Sequence, residues 1–308
     1  MKRVLVTGGT GFVGRRALRL LNGLGYEVHA ISHTTPPDVD AGVRWRRADL
    51  LNPRAVTELV RDVRPTHLLH FAWYAVPGEF WHSKVNLRWR DASTELLREF
   101  AACGGERAAV AGTCAEYDWQ HGLCSETQTP LAPSTLYGVC KRAVHAAAEE
   151  LAAESDLSLA WGRIFFVYGP GEHPARLVPS VVGSLLRGEP ARCTHGRQLR
   201  DFLHVADVAS AFVRLLDSGV EGSVNVASGV PVSIGDVVGA IAEVVGRPDL
   251  VRLGELPVSP DEPLELVADT RRLRDEVEWS QAIDLRHGLA DTIEWWRRAL
   301  GSELGAAA

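Results

Sequence analysis

The chain has 308 residues, a formal net charge of -6 at pH 7 and 46% hydrophobic residues, enough to bury a sizeable core without metal or disulfide staples. The charge is spread without a basic stripe, which excludes the electrostatic footprint of a nucleic-acid binder and leaves a small molecule as the expected partner. Five cysteines (Cys103, Cys114, Cys124, Cys140 and Cys193) form no Cys-x-x-Cys pair, and no apolar run approaches the ~20 residues of a membrane span, so a soluble, cytoplasmic, unanchored protein is expected.

The first half alternates short β-rich runs with helical patterns. Arg3 to Thr7, Glu27 to Ser32, Val43 to Arg47, Thr66 to Phe71, Arg107 to Gly112 and Leu157 to Ile164 read as strands. Between them Phe12 to Leu24, Arg54 to Val63, Lys84 to Ala102 and Ser134 to Glu154 read as helices. That rhythm predicts βαβ units and an α/β fold, a Rossmann-type doubly wound parallel sheet of six strands. After Tyr168-Gly169-Pro170-Gly171 the pattern loosens into a smaller C-terminal α/β lobe expected to hold substrate. It comprises helices at Leu177 to Arg187, Asp207 to Leu216, Ile234 to Val245, Thr270 to Val277 and Leu285 to Leu300, with strands near Phe202 and at Ser223 to Ala227. Gly305 to Ala308 read as a frayed tail. The expected division is a dinucleotide-binding domain over 1–165 and a substrate lobe over 166–308, with segments of about 200–230 returning to the first domain.

Thr7-Gly8-Gly9-Thr10-Gly11-Phe12-Val13-Gly14 lies between the first strand and a helix, the context that gives a glycine fingerprint meaning. Gly8, Gly11 and Gly14 let backbone approach a pyrophosphate, and Phe12 and Val13 offer main-chain N–H groups at the helix N-terminus. NAD-binding folds usually end the second strand in Asp or Glu to hold the ribose 2′-hydroxyl. Here Ser32, His33, Thr34 and Thr35 stand there, with Arg15 and Arg16 near enough in sequence to attract a 2′-phosphate, so NADP(H) is favoured over NAD(H). Asp38 and Asp40 argue mildly the other way.

Tyr137 and Lys141 lie four apart at the start of a helix and share one face. A tyrosine with a pKa near 10 shuttles protons poorly, and a neighbouring ammonium favours the phenolate; bringing it toward 7 takes roughly 3 units, or ~4 kcal/mol. Tyr137 is therefore expected to give or take the proton of a carbonyl as hydride moves to or from a nicotinamide. Thr113, just past the fifth strand, is expected to fix the substrate oxygen. Thr66-His67-Leu68-Leu69-His70 does not read as a metal site, because residues three apart on a strand face opposite sides.

These residues resemble the extended short-chain dehydrogenase/reductase family of nucleotide-sugar epimerases, dehydratases and ketoreductases, over nearly the whole chain. The resemblance rests on Thr7 to Gly14, Ala48-Asp49-Leu50, His70-Phe71-Ala72, Asn86, Thr113 with Tyr117, Tyr137 to Lys141, Arg163 to Pro170 and Arg200 to Val208. It implies Asp49 and Leu50 at the adenine, and Phe71, Ala72 and Trp73 along the cofactor beside Tyr137 and Lys141. It also implies Arg200 on a nucleotide-sugar diphosphate; the plain alternative for Arg200 is an ion pair with Asp201 or Asp207. Tyr74, His173 and Arg176 are candidate substrate contacts, and Tyr74 belongs to an aromatic group, with Trp73, Phe80, Trp81 and Trp89, that is expected to shape the pocket.

Two departures bear on the reaction. Family members often carry a second arginine where Ser259 stands, with Arg176 or Arg252 as possible substitutes. Sugar dehydratases place Asp-Glu after the active-site threonine, where this chain has Cys114 and Ala115; Glu116 falls one residue later and, on extended backbone, points away. Cys114 also falls one residue short of the cysteine position of family epimerase-reductases and is read as structural. The leading expectation is an NAD(P)H-dependent nucleotide-sugar ketoreductase of the 4-keto-6-deoxyhexose class, working as a homodimer. A nucleotide-sugar epimerase with retained NAD, a ketoreductase on an aromatic or polyketide ketone, and a non-catalytic NADP-sensing module remain as alternatives.

Overall fold

The computed structural model describes residues 2–34, 42–259 and 262–306, with side chains through 301. Thr35, Asp38, Asp40 and the last two alanines lie outside the described residues. The chain runs β1 (Arg3–Thr7), α1 (Gly14–Gly23), β2 (Glu27–Ser32), β3 (Val43–Arg47), α2 (Pro53–Val63), β4 (His67–His70), α3 (Val85–Ala102) and β5 (Arg107–Thr113). It continues through β6 (Leu123–Cys124), α4 (Leu136–Ala153), β7 (Ser158–Ile164), β8 (Phe166–Tyr168), α5 (Leu177–Leu186), β9 (Ala191–Arg192) and β10 (Leu199–His204). The remainder is α6 (Val205–Asp217), β11 (Gly222–Val226), β12 (Pro231–Ser233), α7 (Ile234–Val245), β13 (Val251–Arg252), β14 (Glu265–Ala268), α8 (Arg271–Asp275) and α9 (Leu285–Ala306).

Val4, Leu5 and Val6 of β1 and Ala108, Ala109 and Val110 of β5 are fully buried, the continuous apolar reading of strands covered on both faces. They form a parallel sheet of seven strands in the order β11-β7-β5-β4-β1-β2-β3. One face packs on α1 and α6 through Ala17, Leu18, Leu21, Val208 and Phe212. The other packs on α2, α3 and α4 through Val56, Leu59, Leu97, Phe100 and Val144. Strand order reverses between β1 and β4, and the crevice at such a switch point is where doubly wound sheets bind ligands. Thr7 and His70 end the two strands that border it, and Thr113 ends β5 beside β4.

The sheet has one strand more than the rhythm of the first half predicts. The seventh is β11, which leaves the smaller lobe and pairs with β7 from Gly222↔Ala160 to Val226↔Ile164, burying Val224 and Val226. Conversely β6, from the first half, joins the small sheet of order β12-β10-β14-β6, with β8 on the far half of β10. α5, α7 and α9 cover that lobe with Val181, Val182, Leu185, Val237, Ile241 and Ile293. Helix boundaries also shift. α1 starts at Gly14 and not at Phe12, because residues 8–13 turn through a bond from Gly11 N to Gly8 O (2.9 Å). α9 continues through Ala306, past the expected end at Leu300 and into the expected tail. Among the described residues no helix is long and apolar enough to cross a membrane.

Asp201 of β10 staples the lobe together. Fully buried, its carboxylate accepts from Ser228 N (2.7 Å), Ser228 Oγ (2.6 Å), Gly229 N (2.9 Å) and Ala268 N (3.3 Å). Asp201→Ala strands those donors without water, at about 1–3 kcal/mol for a buried unsatisfied group, and the bonds to a charged acceptor are the stronger kind. We expect a loss of at least ~3 kcal/mol in urea unfolding, with Asp201→Asn recovering part of it.

Candidate active site

Gly8 sits at φ +68°, a conformation suited to glycine, and a Cβ there would lie 2.9 Å from Ala72 N. A Cβ on Gly14 would collide with the Gly8 carbonyl. The glycines thus let the phosphate loop fold tightly beside the end of β4. α1 opens with no side-chain cap and no acidic residue in its first turn, which leaves the positive end of its dipole to an anion. The Thr7 hydroxyl accepts from Ala72 N (3.1 Å) and meets His70 Nδ1 at 2.6 Å, while His70 Nε2 meets Ser93 Oγ at 2.9 Å. Burial, then the Lys141 charge, push His70 down to about 3, so the ring is neutral. The Thr7 and Ser93 hydroxyls flank the two nitrogens of this neutral ring, one donating to it and the other accepting from it.

At the adenine end, Ser32 is buried with Oγ accepting from Thr34 N (3.3 Å), and His33 is exposed. Asp49 is exposed and accepts from Leu51 N (3.0 Å), while Leu50 is buried in the core. Arg15 and Arg16 do not turn toward Ser32. Both donate to the Pro170 carbonyl, at 3.2 and 2.5 Å, and Arg16 also reaches the Phe12 carbonyl (2.6 Å). The first turn of α1 lies against the strand-to-lobe junction, so these arginines fasten that junction and withdraw the argument for a 2′-phosphate contact.

Thr113, Tyr137 and Lys141 meet where β5 ends and α4 begins. Thr135 caps α4, its hydroxyl accepting from Gly138 N at 3.1 Å. Lys141 is buried; its Nζ donates to the Ala111 carbonyl (2.7 Å) and lies 4.0 Å from the Trp73 ring centroid. Burial opposes the expected lowering of Tyr137 by Lys141. Burial raises the Tyr137 pKa, with the Thr113 side chain opposing through a hydrogen bond, and burial lowers Lys141 to about 7. The two groups share one desolvated space, which disfavours phenolate and ammonium alike. Tyr137 is therefore held as a phenol, ready to donate.

Around it stand Trp73, Phe80 and Trp81, all edge-on at ring separations of 6.2, 4.9 and 5.8 Å. Asn86 secures this wall: its amide donates to the carbonyls of Phe80 (2.6 Å) and Ser83 (2.8 Å), and its oxygen accepts from Trp73 Nε1 (2.9 Å). Trp89 meets Trp73 farther out, at 6.3 Å.

The substrate candidates separate. Arg200 is buried over Phe166 and pairs with Glu262 at 2.9 Å. It pairs with neither Asp201 nor Asp207, since Asp207 accepts from Ala282 N and Ile283 N. The Arg176 guanidinium lies over Phe80 at 5.2 Å, with no hydrogen-bond or ion-pair partner among the described residues. Glu172, four residues earlier, is buried with Oε2 unpartnered, and burial pushes it up to about 8. Sequence offered no signal for it beyond its place in the junction. His173 is exposed and accepts from Ala175 N (3.2 Å), and Tyr74 donates to Glu79 (2.5 Å). Arg252 turns back to the carbonyls of Asp249 and Val251.

Cys114 is buried beside Tyr117, Cys124 and Phe165, and burial raises its pKa, so it remains a thiol. Glu116 also turns from the crevice, for a different reason than an extended backbone: residues Cys114–Glu116 form a 3-10 turn that swings its carboxylate back onto Thr113 N (2.8 Å). Among the described residues no group of three or more His, Cys, Asp or Glu gathers to hold a metal.

A seven-stranded Rossmann sheet carrying Thr113 at the end of β5 and Tyr137 and Lys141 on α4 defines an enzyme of the short-chain dehydrogenase/reductase type. The NAD dependent epimerase/dehydratase family model matches residues 4–227, and the chain belongs to that family. MoeE5, solved with UDP-glucuronic acid and NAD, is 32% identical with a TM-score of 0.83, over 96% of this chain and 99% of that one. The UDP-glucose 4-epimerase of Thermus thermophilus, solved with NAD, is 27% identical with a TM-score of 0.84, over 96% of this chain and 99% of that one. A dTDP-4-dehydro-6-deoxy-D-allose reductase of a Streptomyces species is 27% identical, over 96% of each chain.

The tight glycine turns and the uncapped start of α1 fit a pyrophosphate, and Ser32, Asp49, Trp73 and Lys141 are the residues that could hold the rest of a dinucleotide. Bound there, nicotinamide supplies hydride chemistry. The chain itself offers there a phenol with one transferable proton beside the Thr113 side chain. Tyr137→Phe is expected to lower kcat by about 10²- to 10⁴-fold while cofactor affinity, read by fluorescence titration, stays within about twofold. Full turnover in that variant would remove Tyr137 from the chemistry.

Proposed function

We propose that this protein interconverts an alcohol and a ketone on the sugar of a nucleoside diphosphate sugar, as an epimerase that keeps NAD through oxidation and re-reduction. One observation narrows the reaction to oxidation and reduction at carbon. The two positions after Thr113 hold a buried thiol and an alanine, and Glu116 is withdrawn into the core, so proton transfer rests on Tyr137 and no acid/base pair serves elimination. Retention of cofactor is supported by the two hydrogen bonds from Arg15 and Arg16 to the Pro170 carbonyl, which tie the junction down onto the helix of the phosphate loop. For NADP(H), the remaining support is the missing acid at Ser32 to Thr34. The relatives solved with NAD favour that cofactor.

Arg200 is the contact for the diphosphate, exchanging Glu262 for phosphate oxygens, a role suited to a planar donor fork. Arg176, its guanidinium unpaired among the described residues and one ring away from Tyr137, meets an anionic group nearer the reacting carbon. A second reading, reduction of a 4-keto-6-deoxyhexose nucleotide, is favoured by the likeness to the Streptomyces reductase. Leu87 of α3 and Val139 of α4 are exposed apolar side chains on a helix pair that also carries Arg88, Arg90, Asp91, Glu95 and Arg98, and the homodimer reading rests on likeness to the family.

The purified protein is expected to release oxidised NAD on denaturation. It is then expected to interconvert epimers of a UDP-, dTDP-, GDP- or CDP-linked sugar with no cofactor added. Turnover only of keto sugars, and only with added NAD(P)H, would select the reductase. Arg200→Ala should raise KM at least ~10-fold, as for loss of a charge-assisted contact. No thermal shift with any nucleoside diphosphate would sink both sugar readings.

A further inference from the structure

Glu116 is completely buried, and the trio's immediate chemistry does not use it. Its carboxylate accepts from Thr113 N (2.8 Å), from Trp161 Nε1 (3.0 and 3.1 Å) and from Arg163 Nε (3.0 Å). The Thr113 hydroxyl in turn accepts from Ala115 N (3.2 Å), closing a reciprocal capping box around the end of β5. An ion pair this deep costs desolvation that apolar side chains would avoid, so it is weak support for stability by itself.

Its orientation is informative. The carboxylate faces the trio, at Thr113 N, whereas the Arg163 guanidinium faces away, donating to Tyr117 Oη (3.0 Å) and meeting His145 Nδ1 at 3.5 Å. The trio therefore borders the negative end of the pair. The other groups around the Lys141 ammonium are close to neutral: His70 from β4, Tyr137 on its own helix, and the face of Trp73. His145, one turn further along α4, is pushed down to about 3 by burial and by Arg163, and Arg163 of β7 sits behind the carboxylate.

We propose that Glu116 is a positioning residue of the catalytic site: holding Thr113 N, two residues beyond the Ala111 carbonyl that holds Lys141 Nζ, its carboxylate fixes the main chain that presents the Thr113 hydroxyl and stands as the buried counter-charge to the Lys141 ammonium. Burial acts to strip the proton from Lys141, and the Glu116 charge opposes this. Glu116 touches neither substrate nor cofactor in this role. It acts through Thr113 and Lys141.

The chain holds only three lysines, Lys2, Lys84 and Lys141, so a titration of 13C-labelled lysine by NMR resolves the ammonium of Lys141 without any substrate. Its outcome is therefore independent of the sugar reading. Glu116→Gln keeps an acceptor for Thr113 N and removes the charge. It should move the Lys141 midpoint down by at least about one unit, a tenfold loss of proton affinity, and shift the basic limb of the kcat profile down equally, with KM unchanged. Glu116→Asp keeps the charge but draws it back from Thr113 N. It should lower the midpoint less and reduce kcat at least ~10-fold, consistent with lost positioning. A folded Glu116→Gln with an unmoved Lys141 midpoint would refute the counter-charge role. Should that variant fail to fold, an unmoved midpoint and wild-type kcat in Glu116→Asp would refute the proposal.

Discussion

Desolvation at the carboxyl ends of β4, β5 and β7 is the constraint on which the rest of this structure depends. A charge or dipole there cannot turn to water, so each must find a partner, and each partnership fixes a segment leaving the sheet. The relay from Ala72 through Thr7 and His70 to Ser93 sets the path of the chain past β4. Glu116, Trp161 and Arg163 set the path past β5. Tyr117 and Asn225 join β11 to the same network, Tyr117 Oη donating to Asn225 at 2.7 Å. The walls of the crevice are hydrogen-bonded throughout these segments, and the aromatic wall secured by Asn86 continues them to the face of Tyr137.

The same constraint governs reactivity. Lys141 and Tyr137 were paired from spacing alone, and spacing does place them on one face of α4. What spacing lacks is a dielectric. Written as two isolated groups, the ammonium lowers the phenol; buried together with a carbonyl and an indole as nearest partners, both are driven toward their neutral forms. The local contest between desolvation and one more distant carboxylate decides how much charge assistance survives.

Legibility followed the range of the forces involved. β1 through β5 and their helices were readable because each is specified by its own run of residues, and the phosphate loop because glycine placement is a local steric demand. β11 was readable as a strand but not as a member of the large sheet, since its neighbour β7 is set by packing of Val224 and Val226 across the core. Arg15 and Arg16 were visible as cations, yet their acceptor is the carbonyl of Pro170, over 150 residues away. Arg200 likewise pairs with Glu262 and not with the acids beside it in sequence, because Asp201 and Asp207 are taken by main-chain donors. Glu116 points away from the crevice as extended backbone would place it, but it does so through a 3-10 turn three residues long that returns its carboxylate to Thr113 N, a partner that spacing does not reveal.

The traffic of strands between the two sheets carries a lesson for anyone wishing to cut or recombine this protein. β6 leaves the first half for the small sheet, and α6 and β11 come back from the second half to the large one. A gene split near residue 165 would therefore deliver neither lobe whole: one fragment would lack an edge strand and a covering helix, the other the strand that closes β14. Lobes interwoven in this way are inherited as a unit. New specificities in such a scaffold must arise by substitution within the crevice and by loop exchange, since transplanting a ready-made lobe is topologically barred.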